Sequence, residues 1–214
     1  VLWCMNAVQD SKLADRSVLA PGPDNGFSLD LILSFERFGA WMDWAMIILT
    51  PKEQWPGTLV LPAAARFGIN LLTRVVDYGG IFHDDVKPGH AFTGHDHRAF
   101  RPAGWVEAGN AKLERMREIA ARHDLTPLQL ACLWNLAHDP VKSVVPTLIQ
   151  EAGTAGKTIE TKVDELATLP DIRLSSDEVQ AILEIGDNKG CMELKGGNRS
   201  HTGNPLADRW SLNQ

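Results

Sequence analysis

Short, nearly unbroken apolar runs alternate along this chain with longer amphipathic ones. "MDWAMIILT" at 42–50 and "INLLTRVV" at 69–76 are apolar almost throughout and too short for typical helices, which predicts strands buried on both faces, as in a parallel sheet. Between them "LVLPAAARFG" predicts a helix, with Pro62 near its start and Gly68 after its end. Upstream, "FSLDLILSFERFG" sets Leu29, Ile32, Leu33 and Phe35 mostly on one helical face and stops at Gly39. "SVLAPGPDNG" predicts a strand followed by a turn, and residues 3–16 a loosely amphipathic helix. A polar stretch from Asp77 to Asn110 then interrupts the alternation, and loops of that length are often functional.

Beyond it, "AKLERMREIAARHD" predicts one helix and "TPLQLACLWNLAHD" another, the second opened by a capping box of Thr126 and Gln129. "KSVVPT" supplies a fourth short strand, followed by the helices "TIETKVDELATL" and "LSSDEVQAILEIG", with Ser175 and Glu178 as a second capping box. Strand and helix in this order predict an α/β architecture of four parallel strands with surrounding helices. Residues 1–16 form an N-terminal remnant, 17–186 the domain and 187–214 a Gly-, Asn- and Pro-containing tail. Periodicity alone leaves an open sheet and half of an eight-stranded barrel equally available.

Composition narrows the function more than the fold. The chain is 44% hydrophobic and 22% charged with a net charge of −6, an ordinary balance for a globular protein. A net negative field and the lack of any basic run argue against nucleic acid, and no apolar run approaches a membrane span. Cys4, Cys132 and Cys191 are far apart and form no C-x-x-C pair, which predicts free thiols and a cytoplasmic location.

"INLLTRVVDYGGIF" resembles the seventh strand of the aldo-keto reductases and the turn beyond it. "LTPLQLACLWNLAHDPVKSVVP" is similar to the helix and eighth strand that follow, and "SVVPT" to that strand's end. In the same register "MDWAMIILTP" resembles the sixth strand and "SVLAPGPDNGFSLDLILSFERFG" the fifth strand and its helix. The resemblance spans about residues 17–185 and implies half of a (β/α)8 TIM barrel, its strands five to eight. It further implies NADPH as cofactor, reduction of a small-molecule carbonyl substrate, and an oxidoreductase activity. The family's proton-donor tyrosine, with its Asp, Lys and His, belongs to strands without a counterpart here, so no catalytic residue carries over. On the cofactor side the resemblance assigns Arg74 to stacking on the nicotinamide, Thr147, Lys157 and Lys162 to the adenosine 2′-phosphate, and Glu165 to the adenine. Ala20-Pro21 stands where the family holds the nicotinamide amide with Ser-Asn.

Two other chemistries are written in the long loop. Asp77, Tyr78 and His83 sit just past a strand end, where barrel enzymes keep their acids and bases; alternatively Tyr78 packs its ring and Asp77 caps a turn. Tyr78 is the chain's one tyrosine. His83, Asp84, Asp85, His90, His95, Asp96 and His97 offer ligands for a metal-assisted hydrolase, yet in no recognised ligand spacing, so metal is not expected. His123 and His138, each near a helix end, are read as dipole partners. A half-barrel would expose strand edges and an apolar face, which predicts closure by a second copy as a homodimer, or by the chain's own ends; a non-catalytic, self-associating fragment is the remaining alternative.

Overall fold

Two strands with the same burial pattern set the sheet. In β2 (Trp44–Ile48) and β3 (Asn70–Arg74) alternate residues are buried, because successive side chains point to opposite faces. The structure is a computed structural model that describes residues 2–4, 23–55, 57–92, 94, 96–101, 103–152 and 156–188; residues 2–4, 23–30, 97 and 100 are described by backbone alone. β2 and β3 pair in parallel, Trp44 opposite Asn70 through Ile48 opposite Arg74. β4 (Val141–Val145) pairs in parallel on the far side of β3, with a register slip between Leu71 and Leu72 and Arg74 opposite Val145.

Six helices are found among the described residues: α1 (Pro23–Phe38), α2 (Val60–Phe67), α3 (Trp105–Ala121), α4 (Pro127–Leu136), α5 (Ile159–Ala167) and α6 (Ser176–Gly186). Ala45, Ile47, Leu71 and Thr73 are buried on one face of the sheet, in a core that includes Phe35, Val60, Leu113, Leu128 and Ile182. Trp44, Met46, Ile48, Asn70, Leu72 and Arg74 lie on the other face and are only half-buried. An open parallel sheet with one face covered by helices is compatible with part of a (β/α)8 barrel.

Three expected strands are found where the apolar runs placed them. The expected strand at 17–20 and the Ala20-Pro21 pair lie outside the described residues. β1 (Leu2–Cys4) runs in parallel along β2, Leu2 opposite Trp44, which corrects the start of the helix expected over residues 3–16; residues 5–16 of that expectation lie outside the described residues. The β1 backbone finds ladder partners on an edge of β2 that would otherwise lack them. "PDNG" at 23–26 is the first turn of α1 rather than a free turn, since a proline there loses no helical hydrogen bond. The tail expected from 187 is described only at Asp187 and Asn188, and the Asn188 side chain accepts from the Gln54 and Trp55 amides at 3.0 and 2.9 Å.

The polar stretch also ends earlier than expected. "WVEAGN" belongs to α3, because Trp105, Val106, Gly109, Asn110, Leu113 and Met116 recur at helical spacing and are all buried. Gly109 lets the loop after β3 lie against the helix: a Cβ there would stand 2.4 Å from Ile81 Cδ1. Both capping boxes form, at Thr126 with Gln129 and at Ser175 with Glu178.

Candidate functional site at the C-terminal strand ends

Parallel strands put their C-terminal ends, and the loops leaving them, on one side of the sheet. The turn after β3 is tight: Tyr78, Gly79 and Gly80 all have positive φ, at 50°, 64° and 93°. Glycine tolerates this conformation, and Tyr78 pays strain for it. Asp77 holds the turn together and joins it to the next loop. Its Oδ2 accepts from the Gly80 amide at 3.0 Å and its Oδ1 from the Thr147 amide at 2.6 Å.

Tyr78 is buried, with its ring edge-on to Trp105 at 5.7 Å and within cation–π range of Arg101 and Lys52. His83 is also buried and meets the Thr147 carbonyl at 2.8 Å through Nε2. A carbonyl only accepts, so Nε2 carries the proton; burial, the largest influence, lowers the imidazole pKa and favours this neutral tautomer. Asp77, Tyr78 and His83 thus come together at one strand end, but all three are enclosed by protein.

The expected cofactor residues converge on the same end. Arg74 closes β3 on the half-buried face opposite Val145, and Thr147, two residues past β4, is exposed. Lys162 is fully buried; its Nζ lies 2.5 Å from Asp85 Oδ2 and also donates to the Ile149 carbonyl. Asp85 Oδ1 accepts from the Lys157 amide at 3.1 Å, while Lys157 Nζ reaches Glu165 Oε2 at 3.2 Å. Glu165 is buried, and its Oε1 has no hydrogen-bond partner among the described residues. Two cations are therefore already matched by two carboxylates.

The His- and Asp-rich loop disperses its ligand-type side chains. Asp84 pairs with Lys87 and Arg117, Asp85 with Lys162, Asp96 with Arg98, and His90 lies 3.6 Å from Glu151. Among the described residues no three His, Cys, Asp or Glu side chains converge as a metal site would need. His95 and the His97 side chain lie outside the description. His123 pairs with Glu178 at 2.8 Å, tying α3 to α6, and His138 is held edge-on to Trp134 with its pKa lowered by burial. The Cys132 thiol is buried and pushed up to about 12 by that burial, so it is a packing residue and not a nucleophile.

Two groups at this end carried no sequence signal. Lys52, just past β2, is buried beside Tyr78 and Phe82, with its amine donating to the Gly109 carbonyl. Burial lowers its pKa to about 6, helped by Lys112 and Arg117. Arg98 clasps the loops after β3 and β4, reaching Glu151 at 2.6 and 3.0 Å, Asp96 at 2.6 Å and the Gly79 carbonyl at 3.0 Å. A cleft of about 400 Å³ lies at the opposite end, where β4 begins, lined by Leu133, Asp139, Lys142, Ile172 and Arg173 among others.

Comparison with known proteins adds a distant likeness in fold. No family model and no curated protein matches the chain. Among solved structures, the thermostable aldo-keto reductase Tm1743, crystallised with the inhibitor epalrestat, is similar at 14% identity and a TM-score of 0.41, over 67% of this chain and 39% of that one. The aldo-keto reductase AKR11C1 from Bacillus halodurans is similar in its holo form at 13% identity and 0.41, and in its apo form at 12% and 0.42. Each AKR11C1 match takes in 72% of this chain, and 46% or 47% of the other. The chain thus spans less than half the length of these structures, and likeness at this level concerns the fold alone. No helix among the described residues is long and apolar enough to cross a membrane.

Proposed function

We propose that the C-terminal ends of β3 and β4 bind a nicotinamide dinucleotide, and that the chain serves carbonyl–alcohol oxidoreduction of the aldo-keto-reductase type. One observation carries this reading. Arg74 and Thr147, assigned by the family resemblance, lie at the C-terminal ends of β3 and β4, and Lys157, Lys162 and Glu165, assigned in the same way, are tied to that end through Asp77, His83 and Asp85. In this reading the Arg74 guanidinium plane offers a stacking surface, the exposed Thr147 lies on the path of the phosphates, and Glu165 accepts from the adenosine end. The fit is incomplete at one point: the two lysines a 2′-phosphate would need are held by carboxylates.

The dinucleotide supplies the hydride when bound. Asp77 and His83 fix the spacing of the two strand-end loops through the Thr147 backbone, and Tyr78 packs the wall behind them. Because all three are enclosed, delivery of a proton to substrate is not assigned to them. Among the described residues of the hydrolase alternative, Asp84, Asp85, His90 and Asp96 are committed to separate partners. We further propose that a second copy covers the half-buried face of the sheet.

Titrating the purified chain with NADPH, followed by cofactor fluorescence and tryptophan quenching, tests the reading. Saturable binding is expected, lost when Arg74 and Thr147 are both replaced by alanine. Light scattering on the same sample reads the second copy, with a mass of two chains expected. A signal that saturates neither with NADPH nor, in a parallel titration, with NADH, or one indifferent to the double replacement, removes the dinucleotide reading.

A further inference from the structure

Resting on the dinucleotide reading, we infer that Asp85 is the chain's own occupant of the cation pair at this strand end, so that the site selects an adenosine with a free ribose 2′-hydroxyl over one carrying a 2′-phosphate. Asp85 does what a bound anion would do. One oxygen meets the buried Lys162 ammonium at 2.5 Å and the other takes the Lys157 amide at 3.1 Å. Its side chain is 2% exposed and that of Lys162 is 0% exposed, so neither swings aside freely to admit a ligand.

Lys157, the other cation, already faces Glu165 Oε2. Counted together, two ammonium groups and two carboxylates leave no net charge. A phosphate dianion arriving there would lie against two like charges and find no uncommitted cation. A hydroxyl finds the reverse. Glu165 Oε1 is a buried acceptor without a hydrogen-bond partner among the described residues, and an unpaired buried acceptor is satisfied by an O–H or N–H donor. A carboxylate that accepts from a ribose hydroxyl is how dinucleotide sites of other folds recognise the unphosphorylated cofactor. The same side chain suits the exocyclic amine of adenine, and the paired charges leave none free for a phosphate.

The test is a pair of fluorescence titrations, NADH and NADPH, on the full chain and on two variants. The wild-type chain is expected to bind NADH about tenfold more tightly than NADPH, the size of one modest charge–charge interaction. Asp85→Asn keeps the shape and the acceptor for the Lys157 amide while freeing the Lys162 charge, and should shift the ratio about tenfold toward NADPH. Glu165→Gln leaves the buried Asp85–Lys162 pair whole, so it folds even if the first variant does not, and should shift the ratio the same way while weakening NADH. Equal or tighter binding of NADPH by the wild-type chain, or a ratio unmoved by both substitutions, overturns the inference and leaves the dinucleotide reading standing. Absence of binding by both dinucleotides removes that reading and this inference with it.

Discussion

Replacing Lys52 by methionine is expected to stabilise the protein at neutral pH and to remove much of its pH dependence between about 6 and 10.5. The ammonium of Lys52 is buried against Tyr78, Phe82 and the Gly109 carbonyl, and its pKa falls from 10.5 in the open chain to about 6 in the folded one. Between those values the unfolded chain binds the proton and the folded chain does not. Stability therefore rises with pH across this window, by about 1.4 kcal/mol per unit, and below about pH 6 the whole penalty is present. The total is on the order of 6 kcal/mol. Methionine fills a similar volume without a charge. Urea denaturation of both proteins across this pH range reads the effect, as a gap that widens toward acid and closes toward pH 10. His83 and His138 also favour stability as pH rises, but only near and below 6.5, and both proteins share them. Parallel curves would show that Lys52 has a counter-charge or water that the geometry does not reveal.

Replacing Arg98 by alanine is expected to act in the opposite direction. Its guanidinium makes charged hydrogen bonds to Asp96 and Glu151, donates to the Gly79 carbonyl and lies 4.4 Å from the Phe92 ring centroid. Burial alone would lower its pKa, yet these carboxylates hold it well above its ordinary range. Removing the arginine leaves Glu151, 7% exposed, without its main partner. Breaking a buried pair from one side costs about 3–5 kcal/mol. Arg98→Lys recovers only part of this, because an ammonium cannot fork toward two carboxylates and a carbonyl together. Thermal melts should give the order wild type, lysine, alanine. An alanine variant that melts with wild type would mean the clasp is not formed in solution.

These two residues also show where sequence reading stops. Signals confined to a few neighbouring residues were legible: the Thr126 and Ser175 capping boxes, Gly68 after α2, and the apolar runs of β2, β3 and β4 depend on nothing farther along the chain. "PDNG" was ambiguous because the same residues open a helix or make a turn, and only the helix that follows decides. β1 was missed because three residues carry no period, and the edge of β2 determines their conformation. At the strand ends, the placement of Arg74 and Thr147 was legible from the apolar runs before them, whereas the charge pairs around them were not. Asp85 meets Lys157 and Lys162 across 72 and 77 positions, and Arg98 meets Glu151 across 53. Nothing local in "TPKEQW" distinguishes a buried lysine from a solvated one; α3 packing over it does so.

Hydrogen–deuterium exchange, with and without saturating dinucleotide, tests the central claim most directly. If the strand ends hold the cofactor, protection should rise at residues 74–85, 147–152 and 156–165, and the cleft at the other end, residues 133–142 and 169–173, should be unchanged. Protection confined to that cleft, or none anywhere at a concentration that saturates the fluorescence signal, would contradict the account.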